Sequence, residues 1–421
     1  MTIYGNTSRV SVDVSGGGIA GVSGGGLDKV VIFARGNPSQ GSGEPNEPIS
    51  VSGPGQLEAQ FGSETPIVEY FRQASGNGVG YSQIWGVMPS EESVTDEDVT
   101  GGGEGADHTN GSEIANAPLI EDESLITFED DTGTELTIEF RYETNKDSTN
   151  SDFTGLSPDT DTVFINPRTG EWVADAADNY TISYSYNDWQ SAFDSATGVI
   201  EEQEVGEWLV GVDSESVVND AITTANPLRT AEWKMVRVFG LARPNLTSEQ
   251  NTGHINVGDY TDSLDSESAF VFGPTRLEDQ TLTVGGAITG LAAGNSIDEP
   301  ILGDALSGVG SLDQTLNVPD QESLEESQVI PLSNRGAPMI EGNGSTSTDT
   351  SWLKTFFSVR VADRLVLAAR AVAKATRGQL NSDATETNVE QQLSDEIEDL
   401  IGENVLQKYD LPNVQHLNGT N

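Results

Sequence analysis

Three glycines, Gly286, Gly290 and Gly294, recur at four-residue steps in the small, apolar segment 284–294. Four-residue spacing places them on one face of a helix, which then carries no side chains. A glycine inside a helix costs about 1 kcal/mol relative to alanine. Three on one face therefore predict a helix that another backbone approaches closely, as small-residue faces allow.

Two other interpretations of this glycine segment are excluded by its length and its neighbours. Its 11 residues are about half of the roughly 20 that a membrane-spanning helix needs. No lysine followed by serine or threonine comes after Gly294, so a phosphate-binding loop is incomplete. The predicted helix ends at Asn295 and is followed by a loop at 295–300.

The charge of the chain limits its partners. Its 421 residues include 20 basic and 68 acidic ones, which gives a net charge of −48. Direct nucleic-acid binding and attraction to an anionic membrane both need a basic surface, so neither is expected. Dispersed charge of one sign repels itself, and molar salt screens that repulsion within about 3 Å. The composition predicts a protein adapted to brine, from a halophilic archaeon or its virus; an ordinary acidic mesophilic protein is the alternative.

The N-terminal third predicts strands around a helix. Polar and apolar residues alternate through 8–14, where Arg9, Val10, Val12 and Val14 fit a strand or an extended arm. Residues 29–36 and 81–89 are typical of buried strands, and 62–78 of a capped helix. The polar, glycine-rich residues 90–113 favour an exposed linker or a domain boundary.

The remaining chain predicts a β-rich unit followed by renewed alternation of strands and helices. Residues 125–189 contain short β segments separated by turn residues, typical of a small all-β unit inserted into a larger fold. After 189, helices and strands alternate again, and two long helices are predicted at 350–380 and 385–403. The sequence thus favours a mixed α/β (α+β) fold.

The first of these long helices has an unusual basic face. Its apolar stripe leaves an opposite arc of positively charged side chains, although the chain as a whole is strongly acidic. Either this arc balances the acidic helix that follows, or it binds an acidic partner protein. The residues of the arc are Arg360, Arg364, Arg370, Lys374 and Arg377.

The sequence patterns that mark enzymes are missing. There is no phosphate-binding loop, dinucleotide-binding fingerprint, zinc-protease motif or serine nucleophile elbow. Three isolated histidines and no cysteine exclude the familiar zinc sites. We expect no catalytic site, metal or cofactor. Six N-x-S/T sites leave a secreted, acidic cell-surface adhesin as an alternative. The N-terminus has no signal-peptide pattern and no run is long enough to span a membrane, so folding in the cytoplasm is expected.

Three blocks of the sequence resemble contractile tail sheath proteins of myovirus tails and related injection systems. The first is "GGGLDKVVIFARG" with the helix and strand that follow it, and the second is the glycine segment "GGAITGLAAGNSIDEPILGDALSGV". The third runs from "VIPLSNRGAPMIEGNGSTSTDTSW" through an R-x-A-D element to "GQLN". No single motif is diagnostic; the order of the set carries the resemblance.

The resemblance implies a domain organisation and a role. It implies a sheath core built from N- and C-terminal parts with an inserted, protruding β-rich domain. The implied ranges are an arm at 1–23, core at 24–117, the insert at 118–190, core again at 191–403, and a short tail at 404–421. Subunits of this kind stack as hexameric rings around an inner tube and contract, in a virion tail assembled in the host cytoplasm.

The resemblance also suggests partners and contact residues. Its implied partners are further copies of the chain, an inner tail tube protein, and baseplate and tail-terminator proteins, without membrane insertion. By β-augmentation, the arm residues Arg9, Val10, Val12 and Val14 would add to a neighbouring subunit. The basic arc from Arg360 to Arg377 would contact the tube. Many sheath proteins continue into a further strand-rich segment where this sequence ends, so that link is expected to be short, missing or cleaved.

Overall fold

The fold is that of a computed structural model. It describes residues 2–4, 9–11, 29–100, 114–140, 158–159, 161–167, 170–174, 179–203, 206–231, 234–242, 264–277, 282–295, 300–342, 344–347, 355–375, 387, 390–391, 394–395 and 397–398.

The described chain combines sixteen strands with seven α-helices. The strands are β1 (Thr2–Tyr4), β2 (Arg9–Ser11), β3 (Val30–Phe33), β4 (Ile49–Ser50), β5 (Ile84–Val87), β6 (Ser90–Thr100), β7 (Ile126–Glu129), β8 (Thr137–Phe140), β9 (Thr162–Ile165), β10 (Trp172–Ala174), β11 (Asn179–Asp188), β12 (Glu207–Val210), β13 (Arg237–Leu241), β14 (Ala269–Gly273), β15 (Val329–Asn334) and β16 (Pro338–Ile340). The helices are α1 (Pro54–Phe61), α2 (Pro66–Gly76), α3 (Trp189–Gln203), α4 (Glu215–Ala231), α5 (Gly285–Gly294), α6 (Val318–Glu326) and α7 (Phe356–Ala375).

An eight-stranded sheet in the order β16-β15-β14-β13-β12-β3-β5-β4 organises the molecule. Its six inner strands are parallel, and the edge strands β16 and β4 are antiparallel to their neighbours. Every residue of β3, β12, β13 and β14 is buried, as expected for parallel strands covered on both faces. Because β12 lies beside β3, the N-terminal and later parts of the chain build one sheet.

Helices cover both faces of this sheet. One face packs against α1, α2, α5 and the start of α7, in a core that includes Phe61, Phe71 and Ile288. The other face packs against α3, α4 and α6, in a core that includes Phe193, Val218 and Leu324. The mixed α/β class predicted from the sequence is therefore the one observed.

The strands between β5 and β12 form two further sheets, in the orders β6-β11-β7 and β10-β9-β8. Their shared core is aromatic, with ring centroids of Phe128, Trp172 and Tyr180 5.0–5.4 Å apart. The linker prediction for 90–113 is wrong for its first part, because β6 pairs with β11 from Ser90↔Asp188 to Thr100↔Asn179. Most β6 side chains are exposed, so the sequence of this strand is as polar as that of a linker.

The two ends of the chain are described only in part. β1 and β2 pair with each other as an antiparallel hairpin, from Thr2↔Ser11 to Tyr4↔Arg9. Val12 and Val14 lie outside the described residues, as does the tail at 404–421. Within the described part of the chain, no helix is both long and apolar enough to cross a membrane.

Candidate functional site

The glycine face of α5 lies directly against the backbone of α2. A Cβ atom at Gly286 would be 2.3 Å from the Tyr70 carbonyl oxygen, and one at Gly290 would be 2.4 Å from that of Ala74. At Gly294 the corresponding distance to the Asn77 oxygen is 2.9 Å. Real Cβ atoms do not approach oxygen this closely, so the two helices pack at this distance only because the face lacks side chains.

Polar side chains of α2 also fix the start of α5. The Gln73 amide donates to the Thr283 carbonyl oxygen at 2.9 Å, and the Ala287 amide donates back to Gln73 Oε1 at 3.3 Å. The Tyr70 hydroxyl lies 2.9 Å from Thr283 Oγ1. Burial raises the pKa of Tyr70 to about 12, against the smaller opposing effect of the Thr283 hydrogen bond. The hydroxyl is therefore neutral and can donate.

The first half of α7 is enclosed by its own subunit. Seven apolar side chains between Phe356 and Ala369 are buried, whereas Phe357 and Leu367 are half-buried. Phe356 packs edge-on to Phe270 with centroids 5.1 Å apart. Two charged residues of this half are buried as well, Arg360 at 2% exposure and Asp363 at 1%. Buried charges are costly unless they are paired, so their contacts define the site.

Asp363 is held by two arginines from different elements. Asp363 Oδ1 accepts from Arg229 Nη2 of α4 at 2.8 Å, and Oδ2 accepts from Arg237 Nη1 of β13 at 2.9 Å. Arg229 Nη1 lies 3.3 Å from Oδ2 and 2.9 Å from the Val236 carbonyl oxygen. Asp363 thus joins α7 to a helix and a strand on its own subunit.

Glu207 completes this buried charge cluster from the neighbouring strand. Glu207 and Arg237 are register partners on β12 and β13, and Arg237 Nη2 donates to Glu207 Oε1 at 2.5 Å. Burial raises the pKa of Glu207, although Arg237 and Arg360 oppose the shift. Burial by itself lowers the pKa of Arg237, but the charges of Glu207 and Asp363 raise it overall. Arg237 is therefore a fixed positive charge inside the sheet.

The structure corrects the prediction for Arg360. Its side chain is buried, donates from Nη2 to the Asn295 carbonyl oxygen at 2.8 Å, and lies 5.4 Å from the Phe356 ring centroid. Arg360 therefore packs inside the subunit, next to the end of α5, and does not face a partner protein. The helical pattern missed this because it assigns every charged side chain to the exposed arc.

The other members of the predicted basic arc have different positions. Arg364 is half-buried. Arg370 and Lys374 lie on α7, but their side chains are outside the described part of the structure, and Arg377 lies beyond the described residues. The glycines Gly286, Gly290 and Gly294 come together with α2, whereas Arg9 and Val10 lie in the terminal hairpin.

A threonine before α7 forms a second attachment that the sequence did not single out. Thr346 is fully buried; its Oγ1 accepts from the Ser266 amide at 3.3 Å and donates to the Ser266 carbonyl oxygen at 3.2 Å. Its own amide donates to the Ala269 carbonyl oxygen at 2.9 Å. The "GSTS" stretch therefore ties the approach to α7 to the start of β14. Thr346 belongs to a run of polar residues, 343–351.

A charged residue in an apolar strand and a lone acidic residue in a basic helix were the missed signals for the cluster. Arg237 lies in a run of apolar residues that became β13, and Asp363 is the sole acidic residue of 352–378. Within the described ranges, no group of three or more histidine, cysteine, aspartate or glutamate side chains could hold a metal ion.

Sequence comparisons find no match, whereas structure comparisons find proteins with a similar fold. No protein-family profile and no curated protein sequence matches the chain. A sheath tail protein from Listeria innocua matches with a TM-score of 0.53 and 11% identity, over 94% of this chain and 88% of that one. A sheath tail protein from Desulfitobacterium hafniense matches with a TM-score of 0.51 and 12% identity, over 93% and 89%.

A third similar structure is an assembled one. The helical sheath of the anti-feeding prophage in its contracted state matches with a TM-score of 0.51 and 11% identity, over 93% of this chain and 83% of that one. All three likenesses extend over nearly the whole chain. The chain therefore has the fold of sheath proteins.

Proposed function

We propose that this protein is a structural subunit of a contractile sheath. The observation that carries the proposal is the likeness of its fold to two sheath tail proteins over 93–94% of the chain, at TM-scores of 0.51 and 0.53. The likeness extends beyond a common core, because it also covers 88–89% of the two sheath proteins. The cell-surface adhesin suggested by the N-x-S/T sites is not favoured by these likenesses.

The role we propose is mechanical and not enzymatic. Copies of the chain stack as hexameric rings around an inner tube and contract to drive the tube through a target envelope, with baseplate and tail-terminator proteins at the ends. The similarity to a helical sheath in the contracted state supports an assembly of many copies. Contraction then draws on the free energy of an extended lattice, and the chain needs no nucleotide or metal.

The inner tube would be bound by the distal half of α7. The first half, with Arg360 and Asp363, is enclosed by the subunit, so a tube contact has to come from further along the helix. Arg370, Lys374 and Arg377 supply positive charge there in a chain of net charge −48. Charge complementarity therefore favours an acidic tube surface.

The particle would work in concentrated salt. Copies of a chain with a net charge of −48 repel each other when they stack, and only a short screening length of about 3 Å, reached near 1 M salt, removes that repulsion. This is the basis on which we infer a virion or particle from a halophilic archaeal system.

Electron microscopy of the purified protein tests the proposal. In about 3 M KCl, where surface charges are screened, we expect hollow tubes with regular transverse striation, and dispersal to single subunits when the salt is removed. Compact particles without tubes, at every salt and protein concentration, would show that the chain is not a sheath subunit. The same grids distinguish an adhesin, which has no reason to form striated tubes.

A further inference from the structure

The apolar contacts of α7 do not by themselves fix its rotation or its axial position. The buried apolar side chains near Asp363 lie on several sides of the helix, among them Val359, Val361 and Leu365. At sites such as that of Val361, a slide by one helical turn replaces one apolar residue with another, here Leu365. Cores tolerate such exchanges when volume is kept. Burial therefore explains why α7 lies inside the subunit. It does not explain why Asp363, and not a residue one turn away, occupies this position.

Asp363 is different because only one position satisfies it. Its two carboxylate oxygens contact Arg229 of α4 and Arg237 of β13 at 2.8 and 2.9 Å. A slide of one turn would bring Val359 or Leu367 to this place. It would leave a carboxylate and parts of two guanidinium groups buried without their partners, which is among the most costly changes in a protein interior.

The two arginines that bind Asp363 are each held in place by a further contact. Arg237 is paired with Glu207 on the adjacent strand and lies 5.8 Å from the Phe356 ring centroid. Arg229 donates to the Val236 carbonyl oxygen at 2.9 Å. The N–H groups of each guanidinium point in fixed directions. Two fixed guanidinium groups therefore leave the carboxylate that they bind only one position.

We propose that Asp363 is a positioning residue of α7. Its clamp between Arg229 and Arg237 sets the rotation and axial position of the helix, together with the hydrogen bond from Arg360 to the Asn295 carbonyl oxygen. The helix continues for three further turns to Ala375, so a shift at Asp363 would move the whole distal half. The consequence for tube binding rests on the proposed function, in which the distal half of α7 contacts the inner tube.

Hydrogen exchange of the unassembled full-length subunit tests the positioning. In Asp363→Asn we expect the α7 amides (Phe356–Ala375) to exchange about tenfold faster or more, because opening of α7 becomes easier than global unfolding. The α2 and β12 amides should stay within about twofold of the wild type on the same reasoning. Asp194→Asn, at an exposed position of α3, is the matched control and should change neither. No change in α7, or an equal change in all three elements, would overturn the proposal.

A double variant distinguishes a positioning role of Asp363 from a role in charge balance alone. Asp363→Asn leaves an excess of buried positive charge, and Asp363→Asn/Arg229→Gln removes it. If Asp363 positions the helix, the double variant regains thermal stability but keeps fast exchange in α7. If the cluster only balances charge, exchange in α7 returns to the wild-type rate together with stability, and the proposal is wrong. The double variant also replaces Asp363→Asn if the single variant does not fold.

The geometry of assembled tubes tests whether the position of α7 affects the sheath. If the wild type forms striated tubes, those of the double variant should have an altered helical rise or twist by electron microscopy, while Asp194→Asn tubes match the wild type. Wild-type geometry in the double variant would count against a positioning role. If the wild type forms no tubes, the proposed function fails, and the exchange rates still decide whether Asp363 positions α7.

Discussion

Gly290 lies against Ala74 so closely that a Cβ atom at position 290 would be 2.4 Å from the Ala74 carbonyl oxygen and 2.5 Å from its Cα. These residues belong to α5 and α2, which are separated by more than 200 residues in sequence. Both obstructing atoms are backbone atoms, so no side-chain rotation can make room. The contact therefore demands glycine.

Gly290→Ala should destabilise the subunit although alanine is the better helix former. The added methyl group has to push α2 and α5 apart, at a cost of roughly 1–3 kcal/mol or more, which outweighs a gain of about 1 kcal/mol in helix propensity. Gly198→Ala is the control, because Gly198 is an exposed helical residue of α3 with open space around it. In thermal melts, the melting temperature should fall for Gly290→Ala and rise for Gly198→Ala. Equal shifts would mean that the close contact between α2 and α5 does not require glycine.

The glycine face was predictable, whereas its partner was not. The four-residue spacing of Gly286, Gly290 and Gly294 determines a bare helix face whatever the rest of the chain does. Which backbone fills it depends on the packing of α2 against α5, and Tyr70 and Ala74 carry no local mark of that role. Long-range pairing of elements is set by the tertiary fold, and a single sequence does not encode it locally.

For the basic face of α7, the prediction from the helical pattern was wrong at Arg360. A helical pattern separates apolar from charged residues, and it assigned Arg360 to the exposed arc on that basis. In the structure, Arg237, Asp363 and Glu207 provide opposite and like charges within the core, so Arg360 can be buried with them. A pattern made from one helix cannot include a counter-charge such as Glu207, which comes from β12.

Glu207 predicts a specific dependence of stability on pH. Burial raises its folded-state pKa above the ordinary value of 4.5, so folding favours its protonated form. Its contribution to stability is present below the unfolded-state pKa and is lost as pH rises through the folded-state pKa. The stability of the wild type relative to Glu207→Gln should therefore fall as pH rises above about 4.5, by at most about 1.4 kcal/mol per pH unit.

Urea denaturation at constant salt, from pH 5 upward, measures this difference. Glu326→Gln, at an exposed position of α6, should run parallel to the wild type. A Glu207→Gln curve that is also parallel would mean that Glu207 has the same pKa in the folded and unfolded states.

Thr346→Val should loosen the attachment of the segment before α7. Valine keeps the shape of threonine but removes the hydroxyl that accepts from the Ser266 amide and donates to its carbonyl oxygen. The Ser266 carbonyl oxygen keeps the Ala269 amide as a donor at 3.4 Å, whereas the Ser266 amide loses its partner. Leaving one buried backbone group unpaired costs about 1–3 kcal/mol. Thr127→Val on β7 is the control, because the described structure gives the half-buried Thr127 side chain no hydrogen bond. A loss of stability confined to Thr346→Val is expected in urea melts, and equal effects would contradict the role of the hydroxyl.

Salt should act differently on the buried and the exposed ion pairs. Arg229 and Asp363 are 15% and 1% exposed, whereas Arg72 and Glu58 on the surface are 40% and 49% exposed. Double-mutant cycles should give the surface pair about 0.2–1 kcal/mol in dilute salt and close to nothing near 3 M KCl, where the screening length is below about 3 Å. The coupling of Arg229 with Asp363 should stay nearly constant, and a parallel decline of both would show that water reaches the buried cluster.

Charge reversal on the distal half of α7 tests the tube contact most directly. In molar salt, screening within about 3 Å removes long-range attraction, so positive residues can help only by direct pairing with an acidic tube. Arg370→Glu/Lys374→Glu would place like charges in that contact, and loss of a close charge pair costs about 2–5 kcal/mol. We therefore expect sedimentation with the purified tube protein to be lost while empty striated tubes still form. Arg72→Glu, a charge reversal on the exposed part of α2, should co-sediment like the wild type. Undiminished co-sedimentation of the distal double variant would exclude these residues from the tube contact and leave the tube-binding surface to another part of the subunit.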